Sequence, residues 1–246
     1  MLLNQIMDIL FDIVIPVGPN DRAVIHNMVE HTKKNIIGYR NIYLVSYDVS
    51  ILIENCITVD ENIFPFNKQS IGNIIGHHDR VGWYLQQLIK LYASFVIIDI
   101  LDNYLVIDSD TYFLRPTSFF LNKLPLYNPG SEYHLPYFNQ MNKLHPSLSK
   151  KSNKSGISHH MMFQKKILIE LFKLVESYHN TDFWKAFLSS IDAHDILGSG
   201  ASEYEIYFNY LHIYHRESFI VRVLKWENTS QIRDDLDYIS CHWYMR

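Results

Sequence analysis

The chain has 246 residues, nearly half of them hydrophobic, and carries a formal charge of −4 at neutral pH. That length supports one large α/β domain with a sizeable core. An acidic balance without a basic run or stripe argues against a nucleic-acid partner.

The two cysteines, Cys56 and Cys241, are far apart and form neither a CxxC nor a disulfide framework, so a reducing, cytoplasmic setting is expected. The opening MLLNQIMDILFDIVIPV carries Asp8 and Asp12 and lacks a basic start and a small-residue cleavage site. It is therefore not read as a signal peptide, and no apolar run reaches the ~18 residues of a membrane span.

Phe11–Val17 is a buried strand stopped by Pro16 and Gly18, after which Pro19, Asn20 and Asp21 open a helix to about Lys34. Asn41–Tyr47 is the next strand, closed by Asp48, so strand, helix and strand make a βαβ unit with a right-handed crossover. Cys56–Val59 reads as a short third strand, and Pro65, Asn67, Gly72, Asn73 and Gly76 mark a loop. From Asp79 to about Phe95 a helix turns Val81, Leu85, Leu88, Tyr92 and Phe95 toward the sheet. Arg80, Trp83, Gln87 and Lys90 share another side, which is either a solvated face or a source of groups for a diphosphate. Arg80 suits the second use, because a guanidinium meets phosphate with a fork of donors.

Asn103–Pro116 is the centre of the reading. Tyr104–Ile107 is a continuous apolar run, as in a strand buried on both faces, and it ends in Asp108-Ser109-Asp110. On an extended strand the two aspartates point the same way, over the crevice where open α/β sheets bind ligands. Two hard oxygen donors there suit Mg²⁺ or Mn²⁺, with water and phosphate completing the shell. The competing reading is an acidic turn.

Beyond Pro116 the SerPhePheLeu stretch looks helical, and Leu124–Asn142 reads as strand fragments and loop. Lys143–Ser155, rich in Lys and Ser, reads as a mobile lid or solvated loop. Ser158–Phe163 leads into an amphipathic helix to about Tyr178, with His159 and His160 just before it, and Asn180 or Thr181 caps a further short helix. In the Gly198–Glu205 stretch, Ser202 is an N-cap and Glu205 its capping-box partner. Glu203 is left at the first helical position, where the helix dipole favours its ionised form. Phe219–Leu224 and Tyr238–Tyr244 are the last strands, the second carrying His242.

FDIVIPV, RVGWYLQQLIKL, YLVIDSDTYFLRP, the glycine-led SEYEIY and the near-terminal CHW together resemble a nucleotide-sugar-dependent glycosyltransferase of the GT-A fold. The resemblance implies an α/β, Rossmann-type domain over residues 1–246, its central, mostly parallel sheet flanked by helices. The nucleotide half would run to about residue 115 and the acceptor half from about 116. It implies Mn²⁺ or Mg²⁺ on Asp108, Asp110 and His242, a nucleotide-sugar donor, expected to be UDP-linked, and a glycan, lipid or protein acceptor. Val17, Asp21, Asp48, Arg80, Gln87, Asp108 and Ser109 would lie toward the nucleotide sugar, and Glu203 would be the catalytic base. Glu203 and Ser202 depart from the acidic pair of inverting members, and a retaining reaction would not use Glu203 as a base. Two alternatives stand beside this: a non-catalytic binder of the same fold, and a DxD phosphatase. Tyr112 and the mid-chain position of the DxD count against the phosphatase. If both carboxylates of the DxD faced away from any cleft, or were tied up by neighbouring lysines, the transferase reading would fall with the metal.

Overall fold

The structure is a computed structural model and describes residues 9–246; the expectation for the first eight residues lies outside them. β1 (Phe11–Val17) is buried along its whole length, which is why its sequence, apart from Asp12, is an apolar run without polar alternation. A 3₁₀ turn (Pro19–Asp21) and α1 (Ile25–Asn35) lead to β2 (Ile36–Ile37), β3 (Tyr39–Ser46) and β4 (Ile57–Asp60). Then come α2 (Lys68–Ile75), α3 (Val81–Val96), β5 (Asn103–Ile107) and β6 (Thr111–Phe113). β7 (Thr117–Ser118), β8 (Phe120–Leu121) and β9 (Leu124–Tyr127) precede α4 (Leu135–Leu144) and β10 (His160–Gln164). The helices α5 (Lys165–His179), α6 (Phe183–Ser189) and α7 (Glu203–Tyr214) follow, and β11 (Ile220–Val221), β12 (Trp226–Asn228) and β13 (Tyr238–Ser240) finish the order of strands.

The central sheet has the order β10-β5-β1-β3-β4. All its pairs are parallel except β10 against β5, so the expected mostly parallel α/β sheet flanked by helices is what forms. From β1 the chain moves to β3 and β4, then returns to place β5 on the other side of β1. The carboxyl ends of β1 and β5 therefore flank the switch point of the sheet, where such folds bind ligands. α3 lies between β1 and α7, which buries nearly its whole surface, including Gln87 and Lys90. No helix among the described residues is long and apolar enough to cross a membrane.

Several elements differ from expectation. Lys68–Ile75 is a helix where a loop was expected, because Asn67 and Ser70 form a capping box and Gly76, at φ +87°, is the C-cap. Of the residues taken for loop punctuation, Asn67 and Gly76 are thus the two ends of a helix, and Gly72 and Asn73 lie inside it. The SerPhePheLeu stretch after Pro116 is not helical: β7 pairs with β2, and β8 pairs with β9. α4 starts with Pro136 in its first turn, a position that tolerates proline because that N–H has no helical partner anyway. His160–Gln164 is an edge strand, and α5 begins only after it. Lys143–Ser155 is fastened and not a free lid. Leu148 and Ser155 are fully buried, Ser155 pairs with Gly130, and the Lys151 N–H donates to Asn209 Oδ1 at 2.9 Å. The last strand ends at Ser240, so His242 lies beyond it, as the N-cap of a 3₁₀ turn.

Candidate active site

β5 does not run on through the acidic pair. The Thr111 N–H donates to the Asp108 carbonyl at 3.0 Å, so Asp108–Thr111 is a turn and the alternation rule for an extended strand no longer applies. The two carboxylates diverge, contrary to the expectation that they point the same way, and each joins a different cluster.

Asp110 joins the carboxyl ends of β1 and β13. β13 pairs antiparallel with β6, setting Ser240 opposite Thr111, and the Cys241 N–H continues that pairing to the Asp110 carbonyl at 2.8 Å. This register delivers His242 to the site: its Nδ1 is 3.1 Å from Asp110 Oδ2, while Ser240 Oγ donates to Asp110 Oδ1 at 3.2 Å. The hydrogen bond to Asp110 raises the His242 pKa above its usual value, against the effect of burial. Asp21 closes the cluster. It accepts from Ser109 Oγ at 2.7 Å and from Arg246 Nη2 at 3.0 Å, and Arg246 Nη2 also lies 3.7 Å from Asp110 Oδ2.

Asp108 turns toward α3 and α7. Its Oδ1 is 2.6 Å from Lys90 Nζ and accepts from the Tyr204 hydroxyl at 2.9 Å, and its Oδ2 is 3.5 Å from His159 Nδ1. Lys90 Nζ reaches Glu203 Oε1 as well, at 2.6 Å, and stands 4.5 Å from the centre of the Tyr204 ring. Burial pushes the Asp108 pKa up, but Lys90 and His159 overcome it and hold the carboxyl well below its usual range. Burial also disfavours the Lys90 ammonium, yet its two carboxylate neighbours more than offset this and keep it protonated. For Glu203 burial prevails, helped by the charge of Asp108, and the pKa is raised despite Lys90. The ionising pull expected from the helix start is outweighed there.

The remaining sequence candidates divide. Gln87, 2% exposed, accepts from the Glu203 N–H at 3.1 Å, and its Nε2 is buried without a partner. Gln87 and Lys90 therefore form neither a solvated face nor, as placed, a diphosphate contact. Arg80 stacks 4.1 Å from the Trp83 ring and donates to Ser199 Oγ at 3.1 Å. Asp48 is taken up by Arg22 at 2.6 Å and by Ser50. Val17 is a buried strand end whose carbonyl accepts from Ser46 Oγ. Glu205 completes only half of a capping box. Its N–H donates to Ser202 Oγ, but its carboxylate accepts from Ser155 and Asn209. Trp243, next to His242, is 63% exposed. Sequence reasoning missed Tyr204 and Arg246. Tyr204 could have been suspected beside Glu203, whereas a C-terminal arginine carries no signal. His159 was given little weight, yet it is buried in a left-handed conformation at φ +58°.

For a divalent cation, the chemistry of the donors favours Asp110 with His242, a carboxylate oxygen beside an imidazole nitrogen on partly exposed side chains. Asp108 does not join them. Among the described residues, the group of three His, Cys, Asp or Glu whose ligand atoms lie within 4.8 Å of one another is Asp192, His194 and Asp195. It lies on the segment after α6, with Asp192 paired to Lys143. Two recesses stand apart from both clusters: one of about 370 Å³ lined by His31, Lys34, Arg115 and Arg233, and an open groove of about 610 Å³ lined by Tyr178, Tyr210 and Tyr214.

Comparisons with known proteins follow the geometry. The sequence model of a family of unknown function (DUF6492) matches residues 44–244. No curated protein matches the sequence. Among solved structures, mouse xyloside xylosyltransferase 1 in its apo form superposes over 97% of this chain and 99% of its own, with a TM-score of 0.50 at 8% identity. The likeness shows a glycosyltransferase-like fold.

Proposed function

The chain belongs to the family of unknown function (DUF6492), and we propose that it is a metal-dependent glycosyltransferase of the GT-A type. It would move a sugar from a nucleotide-diphosphate sugar to an acceptor hydroxyl on a glycan, lipid or protein. The observation that carries this reading is the Asp110–His242 pair, held at the switch point of a sheet whose fold resembles that of a xylosyltransferase. Asp110 and His242 would hold Mn²⁺ or Mg²⁺, which when bound neutralises the charge that develops on a departing diphosphate.

This chain's own residues take the other tasks. The nucleotide would lie outside the carboxyl ends of β1 and β5, near Val17, Asp21 and Ser109, with the Arg246 guanidinium held there by Asp21. Glu203, 3% exposed at the start of α7 and paired with Lys90, would take the proton that the acceptor hydroxyl loses once the acceptor reaches it. Gln87 and Lys90 orient it. The test is incubation with UDP-, GDP- and dTDP-sugars and Mn²⁺, following release of free nucleoside diphosphate. Asp110→Ala is expected to abolish that release together with Mn²⁺-dependent nucleotide binding.

A second reading, a non-catalytic nucleotide-sugar binder, is favoured by one observation: Lys90 engages both Asp108 and Glu203. A donor that raises thermal stability with Mn²⁺ but yields no nucleoside diphosphate with any acceptor would support it.

A further inference from the structure

Lys90 is 4% exposed and lies 2.6 Å from Asp108 Oδ1 and 2.6 Å from Glu203 Oε1. Its position is enforced from three elements: α3 carries it, α7 supplies Glu203 and the Tyr204 ring, and the turn after β5 supplies Asp108. The Asp108 side chain is itself 21% exposed, against 16% for Asp110. Burial therefore does not separate the two aspartates as cation ligands. What separates them is the nearest fixed cation: the Lys90 ammonium lies 2.6 Å from Asp108, whereas the Arg246 guanidinium stands 3.7 Å from Asp110. The ammonium and the Tyr204 hydroxyl both fall on Oδ1 of Asp108, and an ammonium repels any second cation brought to the same carboxylate.

We propose that Lys90 selects the ligands of the cation, claiming Asp108 for a buried ion cluster with Glu203 and leaving Asp110 and His242 as the protein's donors. The rest of the shell then comes from diphosphate oxygens and water, so the bare protein holds the cation weakly and the nucleotide completes the site. Lys90 is in this sense a positioning residue. It touches neither donor, yet it determines which acids are free, and it orients Glu203. The assignment rests on the metal-dependent reading above.

The test is Mn²⁺ titration followed by the electron paramagnetic resonance of free Mn²⁺, with and without UDP. It compares the wild-type chain, Asp110→Asn, Asp108→Asn and the double variant Lys90→Met with Glu203→Gln. The double variant is used because Lys90→Met alone leaves two acids without a counter-charge. Losing or gaining one ligand is taken as roughly a tenfold change in affinity or more. Asp110→Asn is expected to weaken Mn²⁺ binding by at least that factor, and Asp108→Asn to change it by less than about threefold. The double variant is expected to tighten binding by about tenfold, a gain that Asp108→Asn added to it reverses. A merely structural role for Lys90 would weaken binding, never tighten it.

Equal losses in Asp108→Asn and Asp110→Asn, with no gain in the double variant, would overturn the proposal and leave the metal-dependent reading intact. Binding by the double variant but not by the wild type would uphold Lys90's role and refute metal dependence. No binding by any of the proteins would remove both.

Discussion

His160 offers a test of the fold that does not depend on any ligand. It sits on β10 opposite Ile107, 3% exposed, with its ring 5.1 Å from Phe113, 5.5 Å from Phe119 and 5.0 Å from Tyr238. Neither ring nitrogen has a hydrogen-bond partner. Burial in this aromatic cage, with Arg222 and His159 adding positive charge, pushes its pKa down to about 3. The unfolded chain titrates this group near the ordinary histidine value, so between the two values it binds a proton that the folded chain refuses. Stability is therefore full above ~6.5 and falls as the pH drops through that value toward the folded pKa. At about 1.4 kcal/mol per pH unit, the loss between pH 7 and pH 5 is about 2 kcal/mol. His160→Phe removes the titration and puts an apolar ring in a site that gives the imidazole no hydrogen bond. Urea unfolding of both proteins at pH 7, 6 and 5 should show the wild type losing about 2 kcal/mol more than the variant over that interval. Parallel slopes for the two proteins would show that the ring is not held neutral in this cage.

Two other substitutions probe the frame and the chemistry. Asp12, fully buried on β1, accepts from Arg40 Nε and Nη2 and from the backbone N–H groups of Asn41 and Leu101, at 2.6–3.0 Å. Asp12→Ala strands these donors and should cost about 3–5 kcal/mol in chemical denaturation; a cost below ~1 kcal/mol would mean that the four bonds add little beyond what water supplies. Glu203→Gln should slow sugar transfer by roughly 10²–10⁴-fold, the usual range for a general base, with nucleotide binding nearly intact. Unchanged turnover in that variant would take Glu203 out of the mechanism.

The central elements were legible because burial on two faces and helical periodicity leave strong patterns. Tyr104–Ile107 is apolar without interruption, Phe11–Val17 is apolar but for Asp12, and Val81, Leu85, Leu88 and Tyr92 recur at helical spacing. α2 was missed because Asn67 and Gly76 are equally good loop residues, and nothing local says that a helix lies between them. Lys90 was legible as a residue sharing a side with Arg80 and Gln87, but not as a buried one. That required knowing that α7 and the turn after β5 close over that side of α3. His242 entered through the resemblance, and its meeting with Asp110 depends on a strand pairing between residues more than a hundred positions apart.

The acidic pair shows where a spacing argument stops. Residues two apart share a side only while the chain stays extended, and here it turns at Asp108. The turn gives one carboxylate to α3 and α7 and the other to the C-terminal arm. Each destination has its own counter-charge: Lys90 for Asp108, and His242 with Arg246 for Asp110. Side chains so divided can do different work, and the physical conditions differ accordingly. Asp108 lies in a buried ion cluster that would be costly to break, because removing any member leaves a charge unpaired. Asp110 lies against side chains that are partly exposed and can exchange a proton for a metal. Under the metal-dependent proposal, a cation between the ends of β1 and β5 would meet one acid open to recruitment and one engaged by an ammonium at 2.6 Å.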